Sequence, residues 1–320
     1  MSSNKPLEEP RTETPEKKSQ AAVAACSQGE HGTSVVLIGV GQTARALVNK
    51  LQHKKMCDKA FHPTTVVGTT RSAERQEELV SLGIEPIVIE DLSVDSPAFE
   101  TLKARCEDAF VLVSFPPDGK ADQFLAKQLG NARKIVYISS TGVYGSLTGD
   151  IDEDSPVDKS AEGSLRRLSA ESSWLKSGAI VLRAPGLYSA SSGMHLRLLS
   201  GKYRLPGDGS GYVSRIHLDD LSEIILAAFL RGNRGSLYLV GDLKPSTHLE
   251  VATWLCQALN LPMPESAPLS EVNPSLRGNR RIQARRVLRE LGVSLAFPSY
   301  IEGYSQCITG LEQSNFVELS

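Results

Sequence analysis

The 320-residue sequence predicts an α/β protein with a doubly wound, mostly parallel sheet of seven strands and a small C-terminal lobe on the substrate side. Three observations predict it. From residue 34 onward, short β-branched runs alternate with longer mixed polar and apolar segments, the pattern of βαβ units. Several of the runs are apolar almost throughout, as strands covered by helices on both faces must be. A glycine-rich turn, Gly39-x-Gly41-x-x-Ala44, follows the first run and opens the first helix.

Taken in order, residues 1–33 are rich in Glu, Lys, Pro, Ser and Thr and nearly lack large apolar side chains. Such a segment buries too little surface to offset the entropy of ordering, so a disordered tail is expected. It lacks the apolar centre of a secretory signal, and Glu8, Glu9, Glu13 and Glu16 argue against an acid-poor transit peptide. Strands are expected at 34–40 ("SVVLIGV"), 64–70, 85–91, 109–115, 134–140 ("KIVYISS"), 179–185 and 236–242. Segment 186–216 carries Gly193, Gly201, Pro206, Gly207, Gly209 and Gly211, interrupts the βα rhythm, and reads as a substrate-side excursion before a helix near Asp219. Helical patterns follow at 246–260 and 279–292. The expected domains are the tail at 1–33, a dinucleotide-binding domain at 34–187 with 212–243, and a substrate-side lobe at 188–211 with 244–315.

A hydrophobic fraction of 40% and a formal charge of -2 describe an ordinary globular chain with no global basic field for nucleic acid. No apolar run reaches the roughly 18 residues of a membrane span, so no membrane partner is expected. The five cysteines at 26, 57, 106, 256 and 307 contain no C-x-x-C pair, which points to a reducing, cytoplasmic setting. His53, Cys57 and His62 match no common ligand spacing, and no metal is expected. The six arginines in "RGNRRIQARRVLR" (277–289) read as a solvated helix face, since no aromatic residues interleave with them to stack bases. The expected partner is a small-molecule substrate, met by a monomer or a homodimer.

The glycine loop points to a dinucleotide. Gly39 permits the tight turn, Gly41 lets the backbone approach a pyrophosphate, and Gln42, Thr43 and Ala44 begin a helix whose free N–H groups face phosphate oxygens. The second strand ends in "GTTRSAER", with no carboxylate before Glu74. Thr70, Arg71 and Ser72 instead suit a 2′-phosphate, which favours NADP, with NAD as the alternative.

Taken together, "GVGQTA", "VVGTTRS", "SLGIEPIVIEDL", "YISSTGVYG", "VLRAPGLY", "SRIHLDDL" and "RVLRELGVSLAFPSYIEG" resemble the atypical branch of the extended short-chain dehydrogenase/reductase superfamily, the NAD-dependent epimerase/dehydratase-like proteins with a Rossmann fold. The resemblance runs over residues 34–308. It implies that Asp91 and Leu92 flank the adenine, that Ser114 to Pro116 pass beside the adenosine, and that Pro185 and Gly186 contact the nicotinamide. It also implies that Ser140 orients substrate, with Thr141 its neighbour and Tyr144 a packing residue. For Asp219 and Asp220 the simplest role is capping the following helix.

One part of the family pattern is missing. Placing Glu171 on the acidic residue that follows the usual Tyr-x-x-x-Lys motif puts Gly163 at the tyrosine position and Arg167 at the lysine position. Leu165, Leu168 and Leu175 are expected to form that helix's apolar stripe, with Trp174 near its edge. Glycine donates no proton, and a guanidinium is a poor proton carrier. Tyr188, His195, Tyr212 and His217 remain as candidate replacement acids. Two functions stay open: an NADP-dependent oxidoreductase or epimerase-like enzyme acting on a small polar substrate, and a non-catalytic dinucleotide-binding sensor or partner-binding module.

Overall fold

Seven parallel strands form the centre of the molecule: β1 (Thr33–Ile38), β2 (Pro63–Thr70), β3 (Glu85–Val88), β4 (Phe110–Val113), β5 (Lys134–Ser140), β6 (Ile180–Ala184) and β7 (Leu237–Leu239). The computed structural model describes residues 33–57, 61 and 63–317. The expected tail lies outside them except for Thr33, which belongs to β1. All seven expected strands form, and the order across the sheet is β7-β6-β5-β4-β1-β2-β3 with every pairing parallel. This is a Rossmann-type arrangement, and its order reverses between β1 and β4, where the strand ends leave a crevice.

Successive residues of a strand face opposite sides, and β1 shows the consequence. Val35 and Leu37 pack with Leu47 and Leu51 of α1 (Gln42–Cys57) on one face. Val36 and Ile38 pack on the other with Phe99 and Leu102, which belong to α3 (Pro97–Cys106). Between these helices in the chain lies the short α2 (Gln76–Ser81). The second face is completed by α4 (Gly119–Gln128) and α5 (Glu162–Lys176) through Leu125 and Trp174. Each such buried side chain contributes about 1.5–3 kcal/mol.

The buried side of α5 differs from the expected leucine stripe. Leu165 is 47% exposed, whereas Ser164, Ala170, Glu171 and Trp174 are buried. Trp174 is not at the edge: it stacks on Tyr137 at 5.8 Å, and its Nε1 donates to Asp122 Oδ1 at 2.7 Å. Leu168 and Leu175 do pack, partly buried, against the core as expected, but the fully buried positions go to Trp174, Ala170 and polar residues with partners inside the fold, and Leu165 faces outward.

After the short α6 (Met194–Leu199), the helix expected near Asp219 is α7 (Leu218–Arg231). Its cap is His217, whose Nδ1 accepts from the Asp219 N–H at 3.2 Å, and not Asp219 or Asp220. Asp220 is buried and accepts from the N–H groups of Ala296 and Phe297 at 2.8 and 3.0 Å, tying down the C-terminal segment.

The two late helices are α8 (His248–Ala258) and α9 (Arg285–Leu291). The first half of the expected 279–292 helix is a strand instead: Arg280–Ile282 pairs in parallel with Gly149–Ile151. Ile282 is buried beside Val143, Tyr144, Ile151 and Leu239, so long-range packing overrides local helix preference. A further helix, α10 (Tyr300–Val317), was not expected. Its signal was present in Ser299-x-x-Glu302, where the Ser299 N–H donates to Glu302 Oε2 at 3.0 Å. Together α6, α8 and α10 bury a separate cluster that includes Tyr188, Leu198, Tyr203, Val251, Leu255, Tyr304 and Cys307. Among the described residues, no helix is long and apolar enough to cross a membrane.

Candidate functional site

The glycine loop lines a cavity of about 280 Å³ together with Thr69, Thr70, Arg71, Ser72, Arg75, Leu92, Ser114 and Pro116. Gly39 has φ +89°, and a Cβ there would stand 2.9 Å from the Phe115 backbone nitrogen, so glycine is required by the fold itself. Its N–H donates to Thr69 Oγ1 at 3.0 Å, and its carbonyl accepts from Ser114 Oγ at 2.7 Å. Gly41 is different: a Cβ there meets nothing within 4 Å. The fold does not need that glycine, and the space over it is open. The loop leads directly into α1, which starts at Gln42 with Thr43 and Ala44 buried, and the first N–H groups of a helix have no partner within it.

Arg71 is exposed at the end of β2 and borders both this cavity and a second hollow shared with Asp91, Leu92 and Lys120. Asp91 accepts from the Ser93 N–H and Oγ at 2.7 and 2.6 Å, and these bonds hold its carboxyl below the usual range. The Ser72 hydroxyl donates to Glu74, while the Ser72 N–H donates to Thr70 Oγ1 at 3.2 Å. A residue missed from sequence joins them. Arg75 lines the cavity, and its Nη2 donates to the Val40 carbonyl at 3.2 Å. Its signal was the four-residue spacing from Arg71 in "RSAER".

Beyond β5 and β6, a cavity of about 260 Å³ is lined by Ser140, Thr141, Gly142, Pro185, Gly186, Tyr188, Met194, Arg197, Tyr212, Arg215, His248 and Arg280, among others. Ser140 caps a short turn through Thr141–Tyr144, its Oγ accepting from the Gly142 N–H at 3.0 Å. That bond uses the oxygen and leaves the hydroxyl proton to be donated. Beneath it lies a fully paired buried cluster. Arg183 donates from Nε to Glu171 Oε1 at 3.0 Å, from Nη2 to Glu171 Oε2 at 2.8 Å, and from Nη1 to the Tyr144 hydroxyl at 2.8 Å. The Ser139 Oγ adds a bond to Glu171 Oε1 at 2.5 Å. Tyr144 is thus the packing residue expected.

The helix of the missing motif is in place. Ser164 Oγ donates to the Gly142 carbonyl at 3.1 Å, which holds the start of α5 against the turn after Ser140. A Cβ at Gly163 would meet nothing within 4 Å. Arg167 lines neither cavity; it is half-buried, and its charge acts on Asp122 and Tyr137.

The candidate acids separate. Tyr188 and Tyr212 line the cavity beyond β5 and β6. Tyr188 is buried with no hydrogen-bond partner for its hydroxyl, and burial pushes its pKa well up. His217 is used as the α7 cap, and burial lowers its pKa. His195 is buried, with Nε2 3.3 Å from the Ala190 carbonyl, and lies outside the cavity lining. Sequence reasoning missed Tyr203 and His248, whose hydroxyl and Nδ1 are 3.0 Å apart. Burial, with help from Arg215 and Arg197, pushes His248 down to about 4.

The arginine stripe is mostly consumed by structure. Arg277 donates to the Val272 carbonyl at 3.0 Å, Arg281 to Asp150 at 2.8 Å and Arg286 to Glu290 at 3.1 Å. Arg280 turns inward to the Gly145 carbonyl. Among the described residues, no group of three His, Cys, Asp or Glu side chains could hold a metal ion. Of the spaced trio, His53 Nδ1 is 2.8 Å from the Asn49 carbonyl, while His62 and the Cys57 side chain lie outside the described residues.

A parallel sheet ordered 3-2-1-4-5-6-7, with a glycine loop at its reversal point and a turn carrying serine at the end of β5, has close counterparts among solved structures. The chain shares its fold with solved epimerase and dehydratase structures. A functionally unknown conserved protein from Silicibacter pomeroyi superposes with a TM-score of 0.71 at 25% identity, over 87% of this chain and 99% of its own. The dTDP-glucose 4,6-dehydratase of Bacillus anthracis, solved with NAD, gives 0.69 at 18% identity over 88% and 97%. That of Streptomyces venezuelae, also solved with NAD, gives 0.72 at 15% over 88% and 97%. No protein-family model and no curated protein matches the chain.

Proposed function

We propose that the protein binds NADP along the C-terminal edge of its sheet and acts as an oxidoreductase or epimerase-like enzyme on a small polar substrate. The observation that carries this reading is the open space over Gly41 beside an exposed Arg71, followed along the same edge by the cavity of Ser140, Pro185 and Gly186. The backbone N–H groups at the start of α1 would hold the pyrophosphate, Arg71 and Arg75 the 2′-phosphate, and Ser114 and Leu92 the adenosine side. A bound nicotinamide supplies a hydride donor or acceptor. The chain's own part is to orient the substrate carbonyl or hydroxyl with the Ser140 proton and to exclude water with Leu187, Tyr188 and Met194. Fluorescence titration of the full chain with NADPH and NADH tests the reading. Tighter NADPH binding is expected, and equal affinities would overturn the NADP assignment.

A second reading, a non-catalytic dinucleotide sensor, has its own observation. The helix position that holds the phenol in the resembled family is Gly163, open to solvent, and burial raises the buried cavity phenols Tyr188 and Tyr304, away from proton exchange near neutral pH. Gly163→Tyr with Arg167→Lys restores the pair one helical turn apart. Carbonyl-dependent NADPH oxidation that arises only in this double variant, by about 10²–10⁴-fold, supports the sensor. Rapid turnover by the unaltered protein overturns it.

A further inference from the structure

Arg215 lies in a short strand, Arg215–His217, that pairs with Gly186–Tyr188, and it is only 4% exposed. Its two terminal nitrogens, Nη1 and Nη2, have no hydrogen-bond partner. No carboxylate among the described residues forms an ion pair with it. Its charge acts on Asp242, whose Oδ2 is itself buried without a partner and whose carboxyl burial pushes up to about 7. The guanidinium carbon stands 5.6 Å from the centre of the Tyr300 ring, and the side chain lines the substrate-side cavity. A buried, unpaired guanidinium is among the most destabilising groups a fold can carry, so its position needs a partner that the chain does not supply.

The same cavity draws in more positive charge. Arg197 and Arg280 share the lining, from α6 and from the strand Arg280–Ile282. Arg197 and Arg215 both act on Tyr203, Tyr304 and His248, which places the two guanidinium groups around one space. His248 adds no balancing negative charge, and its Nε2 is a further buried polar atom without a partner. Arginine's planar fork matches the two oxygens of a carboxylate. The space is small: about 260 Å³, below the roughly 300–1,000 Å³ of sites for drug-sized ligands, and its wall includes Pro185 and Gly186.

We infer that this cavity binds a compact carboxylate, with Arg215 as its buried anchor and Arg197 and Arg280 at its rim. The inference rests on the proposed function in taking this cavity as the substrate side of the dinucleotide site. The carboxylate is therefore a feature of the substrate, and Ser140 meets the part of that molecule that carries the carbonyl or hydroxyl.

Thermal melts of the full chain in malonate, inorganic phosphate and chloride at matched ionic strength test it, with NADPH titrated into the same samples. Malonate at ten times its dissociation constant is expected to raise Tm by about 2 °C or more relative to chloride. Arg215→Gln should abolish that rise. Arg197→Gln, at an exposed position where folding is not in question, should reduce it. Equal melting in malonate and chloride overturns the inference, as does a full malonate shift in both variants. A rise with phosphate but none with malonate overturns the carboxylate assignment. Malonate stabilisation without NADPH binding leaves the anion site standing and overturns the dinucleotide reading; NADPH binding without malonate stabilisation does the reverse.

Discussion

Two arginines are buried to nearly the same degree and live in opposite circumstances. Arg183, 6% exposed beneath the end of β5, has its charge matched by Glu171 and all three of its nitrogens engaged. Arg215, 4% exposed in the cavity wall, has both terminal nitrogens unengaged. The first belongs to a closed polar network that fixes the floor under Ser140. The second is a charge held in place by surrounding packing. The difference teaches that burial of a charge identifies a site only when its partners are also counted.

The sharpest way to test this contrast is to remove the partner of the satisfied arginine. Glu171→Ala leaves Arg183 buried and uncompensated and is expected to lower stability by about 3–5 kcal/mol in urea unfolding. A loss below about 1 kcal/mol would mean that the pair is as dispensable as a surface ion pair. The matching change at the other site has the opposite sign. Arg215→Met removes an unpaired charge and is expected to leave the unliganded protein as stable, or more stable by about 1–2 kcal/mol, at the expense of ligand binding. Large destabilisation there would give Arg215 a structural role like that of Arg183.

The glycine loop offers a second pair of nominally similar residues. Gly39→Ala must accept a positive φ and a Cβ against the Phe115 backbone, so a loss of about 2–4 kcal/mol is expected. Gly41→Ala enters open space and should shift the urea midpoint by less than about 0.5 kcal/mol while weakening NADPH binding. If both variants lose stability alike, the loop is only a tight turn. Arg71→Ala should lower the NADPH-to-NADH affinity ratio by about tenfold, near 1.4 kcal/mol, in paired titrations.

The smallest effect is a pH dependence. Burial pushes the Asp242 carboxyl up to about 7, against the pull of Arg215 and with some repulsion from Asp220 and Glu302. A carboxyl whose pKa is raised on folding contributes stability below its unfolded value, near 4, and loses it as pH rises toward 7. His248, lowered to about 4 by burial, works the other way: its contribution is present above about 6.5 and lost as pH falls. Between pH 4 and 7 the two oppose each other. Asp242→Asn should therefore make stability rise more steeply with pH over that window than in the unaltered protein, as read from urea midpoints. Identical slopes would mean that Asp242 titrates near its ordinary value in the folded protein.

Much of the fold was legible because its signals are local. Apolar runs of strand length gave the seven strands, and Gly39-x-Gly41-x-x-Ala44 gave the turn at the sheet's reversal point, since both follow from the backbone of a few adjacent residues. The misreadings of α5, of Arg280–Ile282 and of the second cavity share one cause, whereas α10 and Arg75 carried local signals that were passed over. Leu165 was assigned inward on hydrophobicity, but the inward positions of α5 went to Ser164, Glu171 and Trp174, whose partners Gly142, Arg183 and Asp122 lie 12 to 52 residues away. The strand Arg280–Ile282 was read as helix because its partner, Gly149–Ile151, is about 130 residues distant. The cavity around Arg215 is the extreme case. "SRIHLDDL" marked a helix start but not that Arg215 would be buried, and nothing local relates it to Arg197, His248 or Arg280. A side chain's charge is written in the sequence; whether that charge is satisfied depends on which distant groups the folded sheet brings within hydrogen-bonding range.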